Sequence, residues 1–98
     1  VTIKNCTFNK GEDKIFQVNK SSTWNITNCT VNGAGKVLRQ NGGKKFPLTV
    51  KIDGLKATGV KEAIVRSDDP TCKVSYRNIT CNLPKDKWFY GKFKATTF

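Results

Sequence analysis

The chain has 98 residues, with 18 lysines and arginines against seven aspartates and glutamates, four cysteines and no histidine. A chain of this length makes one domain, residues 1–98, with a core small enough to need additional staples. Without histidine, serine or cysteine nucleophilic catalysis and metal-dependent hydrolysis are excluded, while a net charge of +11 favours a polyanionic partner.

The first element is residues 2–8, Thr-Ile-Lys-Asn-Cys-Thr-Phe, in which Ile3, Asn5 and Thr7 alternate with Lys4, Cys6 and Phe8 as on the two faces of a strand. A second short apolar strand, Lys14-Ile15-Phe16-Gln17-Val18, follows a turn region. The opening pattern then returns as Asn25-Ile26-Thr27-Asn28-Cys29-Thr30-Val31, with its own second strand at Lys36-Val37-Leu38-Arg39-Gln40. Looser copies begin at Val50 and Val74, and their second strands are Ala63-Ile64-Val65-Arg66 and Lys87-Trp88-Phe89-Tyr90. A repeat of this length, built from short strands and turns, predicts an all-β parallel β-helix of about four coils, each about 4.8 Å above the last. No stretch has helical periodicity.

Stacking predicts that Cys6 and Cys29 occupy equivalent positions in neighbouring coils, within disulfide range, and that Cys72 and Cys81 close the last coil. A ladder of stacked thiols is the alternative at Cys6 and Cys29. Disulfides, together with N-x-S/T tripeptides at Asn5, Asn19, Asn25, Asn28 and Asn78, predict a soluble protein secreted to the extracellular space. A buried asparagine ladder is the other account of Asn5 above Asn28. Near the C-terminus, Trp88, Phe89, Tyr90 and Phe93 are expected to plug the core, with Lys85, Lys87, Lys92 and Lys94 outside. The first coil exposes a sheet edge, so a homodimer through the N-terminal coil edge, or a partner chain there, is expected.

The second strands carry the chemistry. Lys14 and Lys36 open equivalent strands, and Arg39 follows three residues later. Three cations gathered on one sheet repel unless an anion relieves them. Glu12 and Asp13 are the nearest acidic candidates, and a solvated basic face is the plainer alternative.

Asp13-Lys14-Ile15-Phe16-Gln17-Val18-Asn19, Gly35-Lys36-Val37-Leu38-Arg39-Gln40-Asn41-Gly42-Gly43 and Lys61-Glu62-Ala63-Ile64-Val65-Arg66-Ser67-Asp68 resemble the C-terminal half of the small pectate lyases of polysaccharide lyase family three. The resemblance implies a right-handed parallel β-helix that cleaves polygalacturonate by calcium-dependent β-elimination. It implies Lys14, Lys36 and Arg39 as catalytic and substrate-binding residues, Arg39 as the base, and Arg66 as a further substrate contact. The family's calcium ligands stand in coils preceding the Lys14 coil, which this sequence does not include, so Glu12 and Asp13 are the remaining weak candidates for a metal. The expected function is therefore binding of an acidic polysaccharide with weak or lost elimination. The alternative is a small cationic antifungal, antimicrobial or effector protein acting on anionic cell walls or membranes. Nucleic acid, supported by charge alone, is not an expected partner.

Overall fold

A computed structural model of the chain describes residues 1–9, 14–18, 20–40, 46–91 and 93–98. Glu12, Asp13, Asn19 and Lys92, which figure in the expectations above, lie outside the described residues. The described strands are β1 (Thr2–Lys4), β2 (Thr7–Asn9), β3 (Lys14–Val18), β4 (Ser22–Gln40), β5 (Leu48–Ser67), β6 (Lys73–Cys81), β7 (Phe89–Gly91) and β8 (Lys94–Thr97). Every strand pairing is parallel, and the strands wind into a β-solenoid of about four turns.

Each turn has three faces. The first stacks β1, residues 22–27, residues 48–53, residues 73–77 and β8. The second stacks β2 on 29–34, 55–60 and 79–81. The third stacks β3 on 36–40, 63–67 and β7. The spacing read from the sequence holds, since Thr2 aligns with Asn25, Asn25 with Lys51 and Lys51 with Ser75.

The corner between the first and second faces is made by one residue per coil with positive φ: Asn5 (56°), Asn28 (50°), Gly54 (84°) and Asn78 (57°). Asparagine and glycine visit this region at least cost, and a single such residue redirects the chain without ending the sheet. This corrects the simple alternation. The left-handed residue shifts the inward phase, so Ile3, Cys6 and Phe8 point to the core while Lys4, Asn5 and Thr7 are exposed. The asparagine ladder is real but exposed, not buried.

The core consists of columns running along the solenoid. Ile3, Ile26, Ile52 and Tyr76 form one, and Phe16, Leu38, Val65 and Phe89 another. Their middle members are fully buried, each contributing about 1.5–3 kcal/mol by leaving water. The first coil is half-covered: Phe8 packs edge-on against Phe16, which leans on Trp24. At the other end β8 lies on β6, and Trp88 and Phe89 pack on Tyr76. The aromatic plug thus forms from Trp88, Phe89 and Phe93, but Tyr90 does not join it, being 59% exposed on the third face.

The expected disulfides are not formed; all four cysteines are free. Cys6 and Cys29 do stack, as a thiol ladder, and each thiol donates to a backbone carbonyl two residues earlier, of Lys4 and Thr27 respectively. Cys72 precedes β6 and Cys81 ends it, so the length of a strand separates them, beyond any disulfide reach.

Candidate functional site

The third face collects the charged side chains singled out in the sequence. Lys14 lies beside Lys36 in the register, and Gln17, Arg39, Arg66 and Tyr90 form a second column across four coils. Neighbouring members of these columns are about 4.8 Å apart at the backbone. The stacking of Lys14 on Lys36, with Arg39 on the same strand, is as the repeat required.

The charge relief comes from a residue the sequence reading left without a role. Lys36 is buried, and its Nζ forms an ion pair with Glu62, whose side chain is 55% exposed. Glu62 immediately precedes Ala63, the residue aligned with Lys36, next to an irregularity in the register between Ala34 and Lys36. Carboxylate and ammonium therefore meet across adjacent coils. The pair holds a lysine at the floor of the face that would otherwise be costly to bury charged.

Behind the cations, a buried polar network replaces hydrocarbon. The column Val18, Gln40 and Ser67 lies on the inward side. Ser67 Oγ donates to Gln40 Oε1, and Gln40 Nε2 donates to the Phe46 carbonyl at 3.0 Å. The Asp69 amide donates to Ser67 Oγ at 3.1 Å, and Asp69 Oδ1 accepts from the amide and hydroxyl of Thr71. This lattice fixes the turn that leads from the third face back to the first. Cys72 packs beside it, and burial pushes its thiol up to about 11, with the nearby Asp69 carboxylate adding to the shift against a hydrogen bond with Ser67.

Two grooves open where Arg66 meets Tyr90. One, of about 460 Å³, lies between Lys61, Glu62, Arg66, Lys87 and Tyr90. The other, of about 760 Å³, is bounded by Arg66, Asp68, Pro70 and Tyr90. The face offers guanidinium forks that match planar carboxylates, lysines as point charges and an exposed ring. It suits a ligand with repeated planar anionic groups.

Cations elsewhere are differently employed. Arg77 Nη2 donates to Asp53 Oδ2 at 2.9 Å on the first face, and Arg77 and Lys51 both lie over the Phe98 ring. The Arg77 hydrogen bond holds the Asp53 carboxyl below its ordinary range.

Among the described residues, no three histidine, cysteine, aspartate or glutamate side chains converge on a point that would hold a metal. Glu62 is committed to Lys36, and Glu12 and Asp13 lie outside the described residues. The described carboxylates therefore do not fit a calcium ion, which needs several oxygens converging on one centre.

The aromatic run places Tyr90 in the core plug, whereas the structure sets it outside on the third face. Its signal was the register itself, because Tyr90 follows Arg66 by one coil just as Arg66 follows Arg39. Parallel coils, a cationic face and its place on the third strands all agree with one comparison: the pectate lyase family model matches residues 1–95. This chain belongs to the pectate lyase family.

Proposed function

We propose that the third face binds de-esterified polygalacturonate, with Lys14, Arg39 and Arg66 taking carboxylates of successive sugars above the pair that buried Lys36 makes with Glu62, and that β-elimination by this chain is weak or lost. The observation that carries the reading is the register: it aligns Lys14 with Lys36, and Arg39 with Arg66, on one face of a pectate lyase family chain. In the elimination, the proton at C5 leaves, its electron pair forms a C4–C5 double bond, and the C4–oxygen bond breaks with protonation of the leaving oxygen. Cations beside the carboxylate stabilise the charge that develops as the proton departs. Arg39 stands where the resemblance places the base, but a guanidinium surrenders a proton poorly. Among the described residues, the side chains placed to neutralise a uronate carboxylate are Lys14, Arg39 and Arg66. Binding is thus better supported than turnover.

The polymer also sets the compartment: a pectate-binding protein works outside the cell. Burial of Cys29 and Cys72 shields those thiols there from oxidation. An anionic membrane as target would want a contiguous apolar patch. The exposed large apolar side chains among the described residues are Val1, Tyr90 and Phe98, two of them at opposite ends of the described chain.

The test follows absorbance of the unsaturated product on polygalacturonate, with calcium and then with a chelator, alongside retention of the chain on the immobilised polymer. Retention in both conditions, with slow or absent product formation, is expected. Rapid calcium-dependent product formation would overturn the catalytic half. No retention by the folded chain would overturn the reading altogether.

A further inference from the structure

We infer that Arg66 and Tyr90 form a second uronate subsite beside the one centred on Arg39, in which Tyr90 is a positioning residue that holds the Arg66 guanidinium for an incoming carboxylate. The inference rests on the pectate-binding reading above and specifies where a longer polymer continues along the same face.

The contrast between two arginines carries it. Arg66 and Arg77 both lie over an aromatic ring, Arg66 at 4.9 Å from the centre of Tyr90 and Arg77 at 4.6 Å from that of Phe98. Arg77 has an internal carboxylate, Asp53, at 2.9 Å. Arg66 has no ion pair among the described residues, although Glu62 stands in the same groove, because Glu62 pairs with Lys36. A planar guanidinium pinned by a ring loses less freedom on binding and presents its fork edge-on. It lacks only the anion.

The surroundings are built to keep that stack in place. Arg66 pairs with Tyr90 and Ser67 with Gly91 in the parallel register. Gly91 has φ of 144°, and a Cβ there would stand 2.0 Å from the Ser67 carbonyl oxygen and 2.8 Å from the Phe93 ring. The strand carrying Tyr90 can approach Ser67 this closely only because residue 91 has no side chain. Both grooves are bounded jointly by Arg66 and Tyr90, so a polymer crossing from one to the other must pass the stack. Lys61 and Lys87 flank the first groove, opposed there by Asp86. Arg66 is one coil, about 4.8 Å, from Arg39, close enough for one oligomer to reach both.

The experiment measures, by calorimetry on the whole chain, the affinity of the galacturonate monomer and of pentagalacturonate for wild type, Tyr90→Ala, Tyr90→Phe, Arg66→Lys and Arg39→Ala. Tyr90 is largely exposed, so its variants are expected to fold, with circular dichroism as the check. Tyr90→Ala should weaken the pentamer roughly three- to fivefold, the size of an exposed cation–ring contact, and leave the monomer, held at the Arg39 subsite, unchanged. Arg66→Lys should behave likewise, because it keeps the charge and loses the fork. Tyr90→Phe should bind as wild type, since the ring face is what matters. Arg39→Ala should weaken both ligands. Unchanged pentamer affinity in Tyr90→Ala, with the pentamer weakened by Arg39→Ala, would overturn the second subsite and leave the pectate reading standing. A Tyr90→Phe loss equal to that of Tyr90→Ala would also overturn it, assigning the effect to the hydroxyl. No binding of the pentamer to wild type would overturn both.

Discussion

The corner between the first and second faces and the third face are built on the same stacking and use it in opposite ways. At the corner the coils repeat one solution: Asn5, Asn28, Gly54 and Asn78 all take positive φ. On the third face the columns change from coil to coil, as Lys14 and Lys36 give way to Ala63, and Gln17 to Arg39, Arg66 and Tyr90. Where the backbone dictates the residue, every coil needs the same answer. Where the side chain points outward from the third face, the group is free to change along the column. A parallel solenoid thus keeps its architecture and its chemistry in separate columns, and substitutions should sort accordingly.

The sharpest test of the corner is Gly54→Val. A Cβ at this position would lie 2.6 Å from Asn28 Oδ1, on a backbone with φ of 84°. A β-branched residue there should cost about 3 kcal/mol in denaturant unfolding. Gly54→Asn brings the same Cβ against the end of the Asn28 side chain but takes positive φ readily, as at the other three corners, so it should cost less, about 1 kcal/mol. Equal losses would break the claim that the corner selects for left-handed backbone.

Next in size is a pH effect behind the third face. Burial pushes the Cys72 thiol from its ordinary 9.0 up to about 11 in the folded chain. Its neutral form is the one the fold favours, so this stability is complete below about pH 9 and is lost as pH rises toward about 11. Unfolding measured across that interval should lose about 2 kcal/mol, and Cys72→Ala should flatten the slope. Glu62→Gln comes third. It removes the carboxylate that pairs with buried Lys36 and should cost about 1 kcal/mol, discounted because Glu62 is half exposed. The smallest effect belongs to the first face. Arg77 holds Asp53 below the ordinary carboxylate range, so the pair's stability is present at neutral pH and lost as pH falls below about 4. Arg77→Ala should make acid unfolding slightly less steep, with no change in polymer binding.

The coil repeat was legible because each corner sets a left-handed residue before an inward and then an outward one: Asn5-Cys6-Thr7, Asn28-Cys29-Thr30, Gly54-Leu55-Lys56 and Asn78-Ile79-Thr80. The same residue hid the inward phase: strict alternation from Ile3 places Asn5 and Thr7 inside, and the positive φ at Asn5 sends them out. Lys14, Lys36, Arg39 and Arg66 were legible as one face because stacking converts sequence spacing into register. Glu62 was not, since it acts from beside its aligned position, across a register irregularity. Tyr90 was absorbed into an aromatic run whose other members are core, although its parity along β7 sets it outside. Cysteine count and stacking gave the right neighbours at Cys6 and Cys29 but the wrong bond, because each thiol has a carbonyl within its own coil.

The central claim is that placement on the third face, and not the overall charge of +11, selects the polymer. The direct measurement compares polygalacturonate affinity in Arg39→Ala and Lys56→Ala at one ionic strength. Each removes one positive charge, but Lys56 is exposed on the second face. The account predicts at least about tenfold weaker binding for Arg39→Ala, the loss of a charged hydrogen bond, and a change under about twofold for Lys56→Ala, a screened surface charge. Equal weakening in the two variants would contradict it, and would make the chain a general binder of polyanions.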